Sequence, residues 1–239
     1  MRHCIDLYAV FTKNRELYSG NVKEIAFNDL YHADQKLGSV QSFGTLPPPP
    51  IIVEQMQQDL RDGPWPPAAV LFGPVKPLLR PLFSRLFSRS MILASIMEDL
   101  PYPENRVLPA EEQGRIILKY RLHPHEQTRI KLFRQKMRDI LKPYRFMLIK
   151  QAENNDRIAH ACGTCRFGVD ARDSVLNPMN RAHNVSNLYV TDASFFPSSA
   201  GTNPSLTIAA NGLRVADYLL GYKMGGESQQ VDLEKNASS

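Results

Sequence analysis

The sequence predicts an α+β fold. Three strand-like runs with turn residues between them open the chain. Helical periodicity marks Glu126–Leu141, and a strand–loop–helix pattern follows Asn187. With 239 residues, the chain is long enough to bury a sizeable core. Hydrophobic residues make up 43% and charged residues 22%, which excludes a wholly disordered or fibrous chain. No uncharged apolar run approaches the roughly 18 residues of a membrane span. Asp6 interrupts the first apolar stretch, which argues against a secretory signal. The net charge of +5 is too small to point to nucleic acid. Three cysteines cannot build a disulfide framework, so a reducing, cytoplasmic compartment is expected.

Cys4–Thr12, Val22–Leu30 and Leu37–Thr45 are rich in β-branched, aromatic and aliphatic residues. Asn14, Ser19-Gly20-Asn21 and the polar run 32–36 separate them, so the expectation is a three-stranded antiparallel sheet with short links. Pro47–Pro50 is expected to be stiff and extended, and Glu54–Leu60 to form one or two helical turns.

Between Gly63 and Met97 there is no Asp or Glu, while Lys76, Arg80, Arg85 and Arg89 alternate with large apolar residues. Prolines at 64, 66, 67, 74, 77 and 81 argue against a long helix here, with Leu82–Phe87 left as a helical candidate. The segment 63–97 reads either as a basic apolar lid touching a membrane or a lipophilic ligand, or as a Pro-rich piece packed on a neighbouring surface. The packed reading is preferred.

Met91–Glu98 and Arg115–Tyr120 read as strands joined by a loop containing Pro101, Pro103, Pro109 and Gly114. In the helix Glu126–Leu141, Ile130, Phe133, Met137 and Ile140 form one apolar face. Arg129, Lys131, Arg134, Lys136 and Arg138 are expected to be solvated.

The chemistry concentrates after residue 159. His160-Ala161-Cys162-Gly163-Thr164-Cys165 allows three readings. Cys162 and Cys165 form a C-x-x-C, but outside the βαβ pattern of a thioredoxin-like redox pair. His160, Cys162, Cys165 and His183 could ligate zinc, although His160 and Cys162 are too close in sequence for well-separated ligand pairs. In the third reading, His160 is the working group and Gly163-Thr164 is a tight turn behind it. Asn187–Thr191 reads as a buried strand ending in Asp192-Ala193-Ser194. After a glycine-containing loop, Asn203 is expected to cap a helix whose first residue is Pro204. Leu206, Ala209, Ala210, Leu213, Ala216 and Leu220 form its apolar face. The helix start brings positive N–H groups to this loop, so an anionic group is expected nearby.

These pieces carry a resemblance. His160–Thr164, Asn187–Ser194, Gly201–Thr207 and Arg214–Asp217, in this order and spacing, closely resemble the C-terminal signature of the glucose–methanol–choline (GMC) oxidoreductases, FAD enzymes that oxidise alcohols. Met97–Pro101, Glu104–Val107, Asn28–Tyr31 and Gly38–Pro48 resemble the family's substrate domain more loosely.

The resemblance implies 1–90 as part of a substrate-binding domain and 91–221 as the GMC C-terminal domain, while the Gly-, Ser- and Gln-rich composition marks 222–239 as a disordered tail. The resemblance also implies an antiparallel substrate sheet with flanking helices and a flavin-facing strand–loop–helix. His160 would take the proton of a small-molecule alcohol as hydride passes to flavin N5. Asn203 would hydrogen-bond the substrate oxygen. Asp192, Ala193, Asn203, Pro204 and Ser205 would face FAD, with the helix start stabilising the negative charge of reduced flavin. His3, His32, His123, His125 and His183 match no catalytic position and read as structural or surface residues.

The family's G-x-G-x-x-G turn is not matched, because no two glycines are two residues apart. The chain is therefore expected to be a truncated or split C-terminal half that needs an N-terminal FAD-binding half as partner, the alternative being a non-enzymatic remnant of such an enzyme. No nucleic-acid partner and no metal are expected.

Overall fold

The computed structural model describes residues 1–11, 25–31, 36–43, 49–61, 64–87, 90–111, 114–154 and 160–221. The expected turns at 14 and 19–21, His32, Pro47-Pro48, Arg89 and the expected tail 222–239 lie outside these residues. In chain order the elements are β1 (Cys4–Phe11), β2 (Ala26–Phe27), β3 (Gly38–Ser42), α1 (Pro49–Arg61), α2 (Pro67–Phe72), α3 (Lys76–Phe87), β4 (Ser90–Met97), β5 (Arg106–Pro109), β6 (Ile116–Lys119), α4 (Pro124–Leu141), β7 (Arg145–Lys150) and α5 (Ser205–Leu219). The chain is α+β, and its described residues fall into two compact units interleaved in sequence. One comprises the described parts of 5–96 and 129–154. The other comprises 1–4, 97–128 and 160–221.

The first of these units is built on a five-stranded sheet with the order β2-β3-β4-β1-β7. β2 and β3 pair antiparallel as expected, but β1 lies between β4 and β7 rather than beside β2. The burial pattern explains this. β1 and β4 are buried on both faces and need neighbours on both sides, whereas β2 is short and largely exposed, as an edge strand is. β7, a strand the sequence reading did not find, supplies the missing neighbour to β1. It pairs antiparallel in a register that shifts at Leu7/Tyr8.

The helices run further than the prolines suggested. α1 begins at Pro49, so Pro49 and Pro50 occupy a first turn where no N–H partner is required, rather than an extended element. α3 begins at Lys76 and contains Pro81. An interior proline costs about 3 kcal/mol. The aromatic contacts of the helix are Phe83 on Phe87 at 5.7 Å and Phe87 on Phe11 at 6.3 Å. Gln57 joins α1 to α2 by donating from Nε2 to the Ala69 carbonyl at 2.8 Å.

α4 starts two residues earlier than expected, at Pro124. Ile130, Phe133, Met137 and Leu141 are its buried apolar positions, and Leu141 replaces the exposed Ile140. Two of its cations are not solvated: Arg129 is buried and donates to the Lys36 carbonyl, and Arg134 is enclosed in an ion-pair network.

In the other unit, β5 and β6 form a separate antiparallel ribbon, and β5 occupies part of the expected loop. Asn105 braces the ribbon, donating from Nδ2 to the Arg121 carbonyl at 3.1 Å and accepting the Arg121 N–H at 2.7 Å. Cys162, Leu176, Ala182, Phe195 and Phe196 form the core of this unit. Asn187–Thr191 is not a strand. Tyr189 makes one isolated bridge to Arg181, and Leu188 is exposed. Its hydrogen bonds go to the loop at 180–182 instead, with Val190 N–H donating to the Asn180 carbonyl at 3.0 Å and Ala182 N–H to the Leu188 carbonyl at 2.9 Å.

α5 is present where the sequence placed a helix, but its inward face differs. Leu206 (85%) and Leu213 (69%) are exposed, and Asn211 and Val215 are buried, with Ile208 packed against the core. The leucine–alanine stripe was legible as periodicity. The side of the helix that meets this core was not, because Ile208 and Val215 make a second apolar row.

Candidate active site

The family-like motifs of the C-terminal part converge in the unit that contains His160. Gly163 N–H donates to the Ala193 carbonyl (3.1 Å), Cys165 N–H to Ser194 (2.9 Å) and Phe167 N–H to Phe195 (3.0 Å). These bonds lay the His160–Thr164 motif along Asp192–Ser194. Gly163 has φ +78°, and a Cβ there would stand 3.0 Å from the Phe196 carbonyl oxygen. Only glycine suits that turn, as the sequence spacing suggested.

The Met97–Pro101 motif joins the loop before α5. Ser199 N–H donates to the Asp99 carbonyl at 3.0 Å, and Asp99 N–H donates to Ser199 Oγ at 2.7 Å. Ser198 Oγ donates to the Glu98 carboxylate. Asp99 Oδ2 accepts the Arg2 N–H at 3.0 Å and the Tyr120 hydroxyl at 3.1 Å. Burial, the largest influence, pushes the Asp99 carboxyl above its usual range against these hydrogen bonds.

His160 is exposed, in the left-handed region at φ +55°. Its Nδ1 lies 2.8 Å from Nδ1 of His3, a ring the sequence reading assigned no functional part. His3 is 2% exposed, and its Nε2 lies 2.8 Å from the Ser199 carbonyl oxygen. The sequence signal was faint: a histidine immediately before a buried strand. Asn203 lies four residues beyond Ser199, on the same loop. It is not the helix cap. Pro204 holds that position, without a side-chain cap hydrogen bond, and Ser205 begins α5.

Asp192 caps the short 3₁₀ turn Ala193–Phe195 by accepting the Ser194 N–H at 2.8 Å. Hydrogen bonds from Ser194 hold its carboxyl below the ordinary aspartate value. Asp192 and Ala193 line a cleft of about 970 Å³, together with Gly163 and Thr164 and, from the ribbon, Val107 and Leu118. His160, Asn203, Pro204 and Ser205 are not on that wall. The cleft therefore holds two of the expected cofactor-facing residues and neither expected catalytic one.

Cys162 and Cys4 have the opposite character to reactive thiols. Cys162 is buried in the core, and burial pushes its thiol up to about 11. Burial pushes Cys4 up to about 12. Among the described residues, no group of three or more His, Cys, Asp or Glu side chains is placed to hold a metal ion. His183 instead meets Ser174, with Nε2 2.9 Å from Oγ. Iodoacetamide at pH 8 should alkylate the half-buried Cys165 well before Cys4 and Cys162, which should react only on unfolding. Peptide mass spectrometry against time checks this order, and equal rates at Cys162 and Cys165 would refute it.

Comparison with known proteins bears on these motifs. The GMC oxidoreductase family profile matches residues 101–212. Paromamine 6'-oxidase of Streptomyces fradiae is 32% identical over 136 residues, covering 54% of this chain and 25% of that protein. The 6'''-hydroxyparomomycin C oxidase of Streptomyces lividus is 29% identical over 131 residues, covering 52% of this chain and 24% of that protein. The 2-methyl-1,2-propanediol dehydrogenase of Mycolicibacterium austroafricanum is 26% identical over 236 residues, covering 92% of this chain and 40% of that protein. The chain thus spans 24% to 40% of these relatives' lengths. The matched segment contains His160, the Asp192 turn, Asn203 and the first half of α5, and through it the chain is similar to the C-terminal part of the GMC oxidoreductases.

Proposed function

We propose that this chain carries the substrate-facing, proton-accepting part of an FAD-dependent oxidoreductase acting on the CH–OH group of an alcohol. The observation that carries the reading is that one family match encloses His160, Asp192 and Asn203 in one unit, where backbone hydrogen bonds join the His160 and Asp192 motifs. The relatives are two oxidases and a dehydrogenase, which supports the reaction class.

The residues present fit the ring end of FAD. α5 has no acidic residue in its first turn, Pro204 gives it no side-chain cap, and Ser205–Thr207 are exposed, so the helix's partial positive charge suits an electron-rich edge. They do not fit the pyrophosphate, for which a glycine-rich turn at a helix start is needed and no G-x-G occurs. An FAD-binding half carrying that turn is the partner this reading requires. When bound, FAD would supply the hydride acceptor. His160 would take the hydroxyl proton, Asn203 would hold the substrate oxygen, and Asp192 and Ala193 would shape the wall beside the cofactor.

Joining the chain to an FAD-binding domain that contains G-x-G-x-x-G tests the reading. Anaerobic addition of an alcohol from a panel of diols, sugars and aminoglycosides should bleach the flavin absorbance. A folded, flavin-loaded protein that no member of the panel bleaches would overturn it.

A further inference from the structure

We propose that His3 is a positioning residue that fixes the tautomer of His160, so that the lone pair offered to the alcohol proton lies on Nε2. The inference rests on the proposed role of His160 as proton acceptor, but its geometry is independent of any cofactor.

A carbonyl oxygen only accepts, so the 2.8 Å contact between His3 Nε2 and the Ser199 carbonyl places a proton on Nε2. Burial, the largest influence, lowers the His3 pKa to about 4, so the ring is neutral near pH 7 and its Nδ1 carries a lone pair. Nδ1 of His160 stands 2.8 Å from that nitrogen. Two bare nitrogens would repel at this distance, so the shared proton belongs to His160 Nδ1, which donates to His3. A neutral imidazole protonated at Nδ1 has its lone pair at Nε2. The rings meet edge to face, at 75° with centroids 4.7 Å apart, which also sets the plane of the His160 ring.

The support behind His3 is rigid. Ser199 is clamped to Asp99 by its own N–H and its Oγ, and the Arg2 N–H, next to His3, is anchored on the same aspartate. A buried group that orients a histidine and selects its tautomer recurs in catalytic triads and behind metal-ligating histidines. Here a neutral histidine takes that place instead of a carboxylate, so no buried negative charge is needed.

Two-bond proton–nitrogen correlation spectra of the ¹⁵N-histidine-labelled full chain at pH 7.5 give the test, with the rings assigned through the variants. His3 should be the Nε2–H form and His160 the Nδ1–H form, opposite to the Nε2–H form favoured by a free histidine side chain. In His3→Leu, His160 should revert toward Nε2–H while the backbone amide spectrum stays dispersed. In His3→Asn, whose Oδ1 can accept near the lost Nδ1, the Nδ1–H form should return. If His3→Leu does not fold, the wild-type tautomer and His3→Asn decide the matter. A wild-type His160 in the Nε2–H form, or an unchanged His160 in His3→Leu, overturns the proposal. Flavin reduction that survives His160→Ala overturns the base assignment instead, so the two failures are distinguishable.

Discussion

Replacing His160 with alanine should lower turnover by about 10²–10⁴-fold in a flavin-loaded form, the loss typical of removing a general base. That is about 3–5 kcal/mol of transition-state stabilisation. The effect should fall on kcat and kcat/KM together, because the proton moves in the chemical step and not on binding. Asn203→Ala should also lose turnover, by about 10²–10³-fold if its side chain holds the developing alkoxide. Since Pro204 is the cap, this loss should come without a loss of helix content, which circular dichroism would show. Stopped-flow bleaching of the flavin by substrate measures both effects. A His160→Ala protein that reduces its flavin at the wild-type rate would contradict the assignment.

The legible parts of this fold were those whose signal is local. β1 and β4 announce themselves by apolar runs and α4 by its three- and four-residue steps, and each lies within a few residues of its expected bounds. The failures share a cause: partners distant in sequence decide the outcome. β7 has a modest, half-exposed composition and becomes a strand because β1 offers it an edge. Asn187–Thr191 has strand composition and lacks a long partner, so it forms a single bridge. Prolines misled in the other direction, because at 49, 50 and 77 they sit in first turns, which tolerate them.

The site divides in the same way. The His160 motif, Gly163 and the Asp192 turn were legible as short motifs, and the backbone bonds from 163–167 to 193–195 bring them together. His3 was not legible, because its meaning depends on a carbonyl at Ser199 and a ring at His160, both more than 150 residues away. Nothing at the sequence level distinguishes it from His123, which stacks on Tyr102 at 4.0 Å. The solvated reading of Arg134 failed for the same reason, and with larger energetic consequences.

Arg134→Met should destabilise the chain by about 3–5 kcal/mol, the cost of stranding a buried charge. Arg134 grips Asp6 with two hydrogen bonds, Nε to Oδ2 at 2.8 Å and Nη2 to Oδ1 at 2.9 Å. It also grips Glu153, with Nη2 to Oε2 at 2.6 Å. The Asp6 side chain is 4% exposed on a strand buried on both sides. Without the guanidinium it would keep only the Ala152 N–H at 2.7 Å and the Tyr8 hydroxyl at 3.2 Å. Methionine preserves most of the aliphatic stem, so the loss reports the charge rather than the packing. The double variant Asp6→Asn/Arg134→Met removes both charges and should recover a large part of it.

The pH dependence has a definite sign. Burial, the largest single influence, would raise the Glu153 pKa, but the hydrogen bonds and charge of Arg134, a backbone hydrogen bond and the charge of Lys131 together outweigh it and hold the carboxyl below its ordinary 4.5. Its contribution is therefore full above that value and is lost as pH falls through the depressed folded-state pKa. Urea unfolding at pH 7 and at lower pH should show wild type losing stability toward acid more steeply than Arg134→Met, in which that bond is already gone. A single variant within about 1 kcal/mol of wild type at pH 7 would place Arg134 among the weak surface pairs. Failure of the double variant to recover stability would assign the loss to packing.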